Sequence, residues 1–185
     1  MHCKQTGGIK MAFCNGEYVM YGTAGVCRIS GSEKRSFDGV HSIEYCRLIP
    51  YGSENSTYYV PMDTLDSKVR KLITRDEIET VIAHIPDIAT CWNSDNSQRK
   101  AIFGDLLKSD DYEKIFCLIK SVYEQRKKRE SCGKKLAAAD EKAMKAAESM
   151  VCQEFSAVLG ISPESVTDFI GERIEIAEKE RTLTT

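Results

Sequence analysis

The hydrophobic period of this chain changes once, near residue 74, and that change constrains the fold more than any other feature. Upstream, β-branched and aromatic residues alternate with polar ones, and glycines punctuate the runs. Downstream, apolar residues recur at helical spacing. A period of two puts alternate side chains on one face of a strand, whereas a period near 3.6 gathers them into one stripe of a helix. The expected fold is therefore α+β, a small antiparallel β domain followed by an all-α domain. The expected organisation is 1–12 as a disordered or extended lead, 13–73 as the β domain and 74–185 as the helical domain.

Within the first part, strands are expected at 17–21, 26–30, 43–49, 56–61 and 68–72. Turns at 22–25, 36–39 and 50–53 separate the first four. Five short strands with tight turns imply a strongly bent sheet or partly open barrel of SH3-like or Tudor-like size, with a flat meander as the alternative. In the third strand, Ile43, Tyr45, Arg47 and Ile49 fall on one face, and Glu44, Cys46 and Leu48 on the other. Such a sheet has edges, and an exposed edge can pair with a partner strand.

In the second part, Thr74 and Glu77 have the spacing of a capping box, opening a helix that ends before Pro86. A second helix is expected at 97–108. A third is opened by Ser109, Asp110 and Asp111 and carries the stripe Tyr112, Ile115, Phe116, Ile119, Val122 and Tyr123. A fourth carries Met144, Ala147, Val151, Phe155, Val158 and Leu159, with Gly160 at its C-terminal cap. Ser162 and Pro163 start the last, whose buried face holds Val166, Phe169, Ile170 and Ile174.

With 26 Lys and Arg against 28 Asp and Glu in 185 residues, the chain is nearly neutral and of ordinary globular composition. That excludes a collagen-like chain, a charged disordered tail and a uniformly basic nucleic-acid binder. No apolar run reaches the length of a membrane span, and residues 1–10 have no apolar leader core, so a cytoplasmic protein is expected, with Met11 as an alternative start. The eight cysteines, Cys3, Cys14, Cys27, Cys46, Cys91, Cys117, Cys132 and Cys152, are never closer than eleven residues. Paired spacing for a zinc site is absent, and the cysteines read as small apolar residues of a reduced protein. No cofactor or metal is expected.

Signals for catalysis are weak. There is no phosphate-binding glycine loop, nucleophile elbow or HExxH. Cys27 and His41 could in principle meet as a thiol–imidazole pair, although a buried strand cysteine and a turn histidine are the plainer account. Three other features stand out. The only tryptophan, Trp92, lies in a polar segment between helices and reads as a core plug or as a binding hot spot. Residues 120–145 carry nine Lys or Arg against four Asp or Glu, concentrated in Arg126, Lys127, Lys128, Arg129, Lys134 and Lys135. Cations there favour the helix dipole, and they also suit weak contact with phosphates. Tyr58, Tyr59 and Val60, with Arg47 nearby, lie on strands where they complete a core or meet a partner.

Phe13, Gly16, Glu17, Tyr18, Val19, Tyr21, Gly22, Gly25, Val26, Arg28 and Ile29, in that spacing, resemble the opening of the CarD-like family. That family shares this module with the polymerase-interacting domain of transcription-repair coupling factor. Tyr58-Tyr59-Val60-Pro61-Met62-Asp63 is similar to the family's YVP-x-D strand. The lone tryptophan ahead of a helix, Leu106-Leu107-Lys108-Ser109, the run from Lys127 to Leu136, Asp140-Glu141-Lys142, Ala146-Ala147-Glu148 and Glu154-Phe155 resemble its helical domain. The resemblance extends from residue 13 to about residue 171.

The resemblance implies a bacterial transcription regulator that binds the RNA polymerase β subunit through Arg28, Arg47, Tyr58, Tyr59 and Val60. It implies that the helical domain contacts promoter DNA at the upstream edge of the bubble and stabilises the open complex. Trp92 would be an exposed minor-groove wedge, with Arg99, Lys100, Arg126, Lys127, Lys128, Arg129, Lys134 and Lys135 on the backbone. No membrane and no small-molecule substrate is implied. Two departures from the family pattern are acidic: Asp95 follows the tryptophan closely, and Asp110 stands where the family has glycine. The alternative is a Tudor-like protein-interaction scaffold that does not touch DNA.

Overall fold

The computed structural model describes residues 13–37, 39–53, 55–109 and 111–183, with Thr23, Thr182 and Leu183 described by backbone alone. The expected lead at 1–12 and the Asp110 part of the helix opening lie outside the described residues. The chain divides into two compact units, Met1–Leu72 and Ile73–Thr185.

The first unit is a five-stranded antiparallel sheet: β1 (Tyr18–Tyr21), β2 (Val26–Arg35), β3 (Ile43–Pro50), β4 (Tyr58–Pro61) and β5 (Val69–Lys71), in the order β4-β3-β2-β1-β5. β1 to β4 form a meander, and β5 returns to pair with β1, leaving β4 and β5 as edges. β2 runs five residues beyond the expected 26–30. The register shifts between Ile29 and Ser32, where Gly31 sits at φ +95. A glycine there tolerates the left-handed backbone of a bulge, so the strand bends and continues instead of ending. Val19, Cys27, Ile29, Cys46, Leu48 and Val60 line the core face together with Phe13. A 3-10 turn (Met62–Thr64) and a short helix, α1 (Leu65–Lys68), lie between β4 and β5. The alternating pattern did not predict them. They place Leu65, 2 % exposed, in the same core.

The second unit holds α2 (Arg75–His84), α3 (Asn96–Leu107), α4 (Tyr112–Glu130), α5 (Ala138–Leu159) and α6 (Val166–Leu183). The capping box forms as its spacing predicts: Thr74 Oγ1 accepts from the Glu77 amide at 3.3 Å, and Glu77 Oε2 accepts from the Thr74 amide at 2.8 Å. The Thr74 amide and hydroxyl, both donating to the Glu77 carboxylate, hold that carboxyl below its usual range. Asp95, one of the two acidic departures from the family pattern, has a structural use: it caps α3 by accepting from the Gln98 amide at 2.8 Å. Asp111, next to the other departure, caps α4 by accepting from the Glu113 amide at 3.0 Å. Gly160 ends α5 at φ +68, as a left-handed cap requires.

The expected stripes form one core, in which Phe155, Ile115 and Val122 are almost fully buried. Val166 is buried, and Phe169, Ile170 and Ile174 pack partly against the same core. Glu154 is wholly buried within it, accepting from the Ile73 amide at 2.7 Å and from the Tyr112 hydroxyl. Its carboxylate thus satisfies a backbone donor just before α2 and a phenol on α4. Replacing Glu154 with Leu would remove the acceptor from the Ile73 amide and from the Tyr112 hydroxyl, and we expect a loss of about 2–5 kcal/mol in urea unfolding. A loss under about 0.5 kcal/mol, the scale of a neutral surface change, would contradict this assignment.

Candidate functional site

The sheet alternates along each strand, and the register separates the residues expected to meet polymerase. Arg47 lies opposite Tyr59, and Arg28 lies opposite Ile49. Because Arg47 and Ile49 are two apart on β3, Arg28, Arg47 and Tyr59 share the outer face. Tyr58 and Val60 lie opposite Leu48 and Cys46, on the core face. Val60 is 2 % exposed, so its side chain is core, and it offers a partner nothing but backbone. Of the two readings open for it, core or partner contact, the side chain takes the core. Tyr58 keeps an exposed edge because β4 ends the sheet, and its ring leans on Tyr21 at 5.6 Å.

The outer face has an aromatic end that sequence reasoning missed. Phe37 stands edge-on to Tyr45 at 5.1 Å and to Tyr59 at 6.1 Å. The Arg35 guanidinium covers the Tyr59 ring at 4.1 Å. Phe37 and Val40 are 66 % and 79 % exposed, large values for apolar side chains. An aromatic inside a glycine-bearing turn was the available signal. Arg47 is tied to the same sheet by donating from Nη2 to the Ser30 carbonyl at 2.8 Å, across the bulge. Its guanidinium is therefore aimed by the backbone irregularity that lengthens β2.

In the helical unit, the structure pins Trp92 from both sides. Upstream, Lys120 Nζ donates to the carbonyls of Pro86 and Ile88, each at 2.7 Å, and of Ile85 at 3.3 Å. Ser121 Oγ accepts from the Cys91 amide at 2.7 Å and donates to the Cys117 carbonyl at 2.6 Å. Two adjacent residues of α4 thus hold the segment that leads into the tryptophan. Downstream, the Arg99 guanidinium lies 4.2 Å from the centre of the Trp92 ring, and Phe103 meets that ring at 6.3 Å. The ring, expected as an exposed wedge, is half-buried: packing on Arg99 and Phe103 removes part of its apolar surface from water.

Arg99 itself is the larger correction. It was expected on the DNA backbone, yet it is 3 % exposed. Its Nε and Nη2 donate to Asp140 Oδ1 and Oδ2 at 2.9 and 3.0 Å. Nη1 donates to the Asn93 carbonyl at 2.7 Å, and Nη2 also donates to Asn96 Oδ1 at 2.7 Å. A charge so enclosed is not presented to phosphate. Its N-terminal position in α3, beside a tryptophan, was no sign of burial, because the partner Asp140 is 41 residues away.

The remaining basic residues divide by exposure. Lys100, Lys127, Lys128, Lys134 and Lys135 are exposed, whereas Arg126 and Arg129 are half-buried. Arg126 Nη2 contacts Met144 Sδ at 3.2 Å, and Arg129 Nη1 donates to the Lys135 carbonyl at 3.3 Å. Gly133, at φ +67, closes the end of α4, and the Lys134 amide folds back onto the Arg129 carbonyl at 2.9 Å. The turn brings Lys134 and Lys135 back toward the basic end of α4. A hydrogen bond to Tyr123 holds the Lys127 ammonium above its usual range.

The conceivable thiol site fails on burial. Cys27 has no measurable exposure, and burial pushes its thiol up to about 11. A nucleophile needs the thiolate, which this environment disfavours. No group of three metal-ligating side chains is present among the described residues, and no helix there is long and apolar enough to cross a membrane.

Two measurements follow from this geometry. Arg99→Ala would leave Asp140 buried and unpaired, at an expected cost of about 3–5 kcal/mol, whereas Lys100→Ala should stay within about 0.5 kcal/mol of the parent. Equal effects in chemical unfolding would contradict the burial of the pair. Under native conditions a maleimide should modify exposed Cys14 and Cys132 long before Cys27 and Cys46. Early labelling of Cys27 would contradict the sheet core.

The search of curated proteins found no match to the chain. Residues 13–73 match the family model of the CarD-like/TRCF RID domain. Domains of that family are interaction modules and bind the RNA polymerase β subunit in general. The matched segment begins with buried Phe13 and ends just beyond β5, so the strands, the bulge and the outer face all lie inside it. The N-terminal unit of this chain is accordingly a CarD-like/TRCF RID domain.

Proposed function

We propose that the chain is a transcription regulator that docks on the RNA polymerase β subunit through its RID sheet and contacts promoter DNA through its helical unit. The family match over residues 13–73 carries the first half of this reading. The side chains that would meet polymerase are Arg28, Arg47 and Tyr59 on the outer face, with Tyr58 at the β4 edge. Arg47 and Tyr59 are cross-strand neighbours, so a cation and an aromatic ring form one patch. The open edge of β4 offers backbone groups to a partner strand, although Pro61 supplies no amide there.

The second half rests on the half-buried Trp92 and on the exposed lysines at and beyond the end of α4. Lysines on phosphate give binding without sequence preference, and an indole set against an unstacked step favours melted DNA. The nearly neutral chain needs no strong intrinsic affinity, because a polymerase tether raises the local DNA concentration. Promoter selection then belongs to the polymerase. The proposed outcome is a longer-lived open complex.

A pull-down on the purified β-subunit lobe tests the docking half. Arg47→Glu or Tyr59→Ala should reduce capture while the chain stays folded, and full capture by both would move the interface off this face. For the DNA half, reversing Lys127, Lys128, Lys134 and Lys135 together should weaken duplex binding and flatten its dependence on salt. An unchanged salt slope would reduce that cluster to a solvated helix end and favour the scaffold alternative.

A further inference from the structure

The buried ion pair of the helical unit does more than close a gap between two helices. A guanidinium is planar, and this one is fixed at four contacts: two to Asp140 on α5, one to the Asn93 carbonyl and one to Asn96 Oδ1. A plane held at those points cannot turn. The guanidinium carbon lies over the Trp92 ring, 4.2 Å from its centre, so holding the guanidinium in place holds the ring that packs on it. Stability alone does not call for charges at this place, because a well-packed apolar pair of similar volume is often as stable or more so.

We infer that Asp140 is a positioning residue: by clamping Arg99 it holds the Trp92 ring at the angle at which it meets unstacked DNA, an inference that rests on the reading of Trp92 as a DNA contact. Asp140 is buried and would act through Arg99 without meeting DNA itself. It lies in the first turn of α5, five residues beyond Lys135 of the basic turn. The lysines that would hold the backbone and the ring that would enter the step are thus joined through one buried contact. A shift of the α5 start would move both.

The test uses the full chain, whose single tryptophan makes its emission report on Trp92 alone. The key variant combines Arg99→Met with Asp140→Leu, which removes both charges together and leaves neither unpaired. Its readouts are acrylamide quenching of the emission and binding to a labelled duplex carrying a short unpaired bubble. We expect a melting midpoint within about 4 °C of the parent. We also expect raised quenching and bubble binding about tenfold weaker, the level of Trp92→Ala. Parent-like quenching together with parent-like bubble binding would overturn the positioning role, since the pair would then serve folding only.

Trp92→Ala separates the two claims. If it binds the bubble as the parent does, the DNA reading falls and takes the DNA part of the positioning role with it; quenching then decides only whether the pair holds the ring, raised supporting that and unchanged overturning it. Should the paired variant fail to fold, Arg99→Lys keeps a cation facing Asp140 but loses the planar face. In that variant, raised quenching with weakened bubble binding supports the positioning role, and parent-like values of both overturn it.

Discussion

A buried charge must be answered by another, and in the helical unit Arg99 and Asp140 answer each other across 41 residues of chain. Taking both out of water is costly, and the cost is offset by the paired charges and by four hydrogen bonds from the guanidinium, two of them to Asp140. That demand fixes the start of α3 against the start of α5. It fixes the Asn93 carbonyl as well, and with it the segment that carries Trp92. Lys120 and Ser121 anchor the other side of the same segment to α4. A polar stretch between two helices, which in isolation would wander, is thereby held in one place. The half-burial of the tryptophan follows from the packing that holds it.

The sheet reaches a comparable result by alternation. One face buries Val19, Ile29, Leu48 and Val60; the other carries Arg28, Arg47 and Tyr59. The Gly31 bulge lets β2 continue past the core, and the added length leads to Phe37, whose ring meets Tyr45 and Tyr59. A side chain one position out of register would swap faces, which is how Tyr59 and Val60 come to have opposite roles. Chain neighbours on a strand are not neighbours on a surface.

Much of this was legible in the chain itself. The change of period near residue 74, the Thr74–Glu77 box and the Gly160 cap each act within a few residues, so local spacing was enough to read them. Motif order from residue 13 to about residue 171 carried the resemblance, and the family model matches its first part, residues 13–73. What spacing could not carry was pairing over distance. Arg99 reads as a surface cation until Asp140 is brought beside it, and Lys120 reads as part of a basic run until three carbonyls surround its ammonium. Val60 was grouped with Tyr59 because they are adjacent and their motif resembles the family's. The length of β2 depended on one glycine whose effect is visible only in the sheet register. Asp95 reads as a departure from a family pattern, and in the structure it is a helix cap.

The proposed function joins the two units through a shared target: polymerase holds the sheet, and the melted promoter lies within reach of Trp92. The most direct test is the lifetime of the open complex on a promoter, measured by competitor challenge with purified bacterial RNA polymerase. The account predicts that the parent chain extends the lifetime, and that Trp92→Ala binds the β lobe equally well yet leaves the lifetime as it is without the factor. Equal extension by both chains would contradict a role for the tryptophan at the melted DNA.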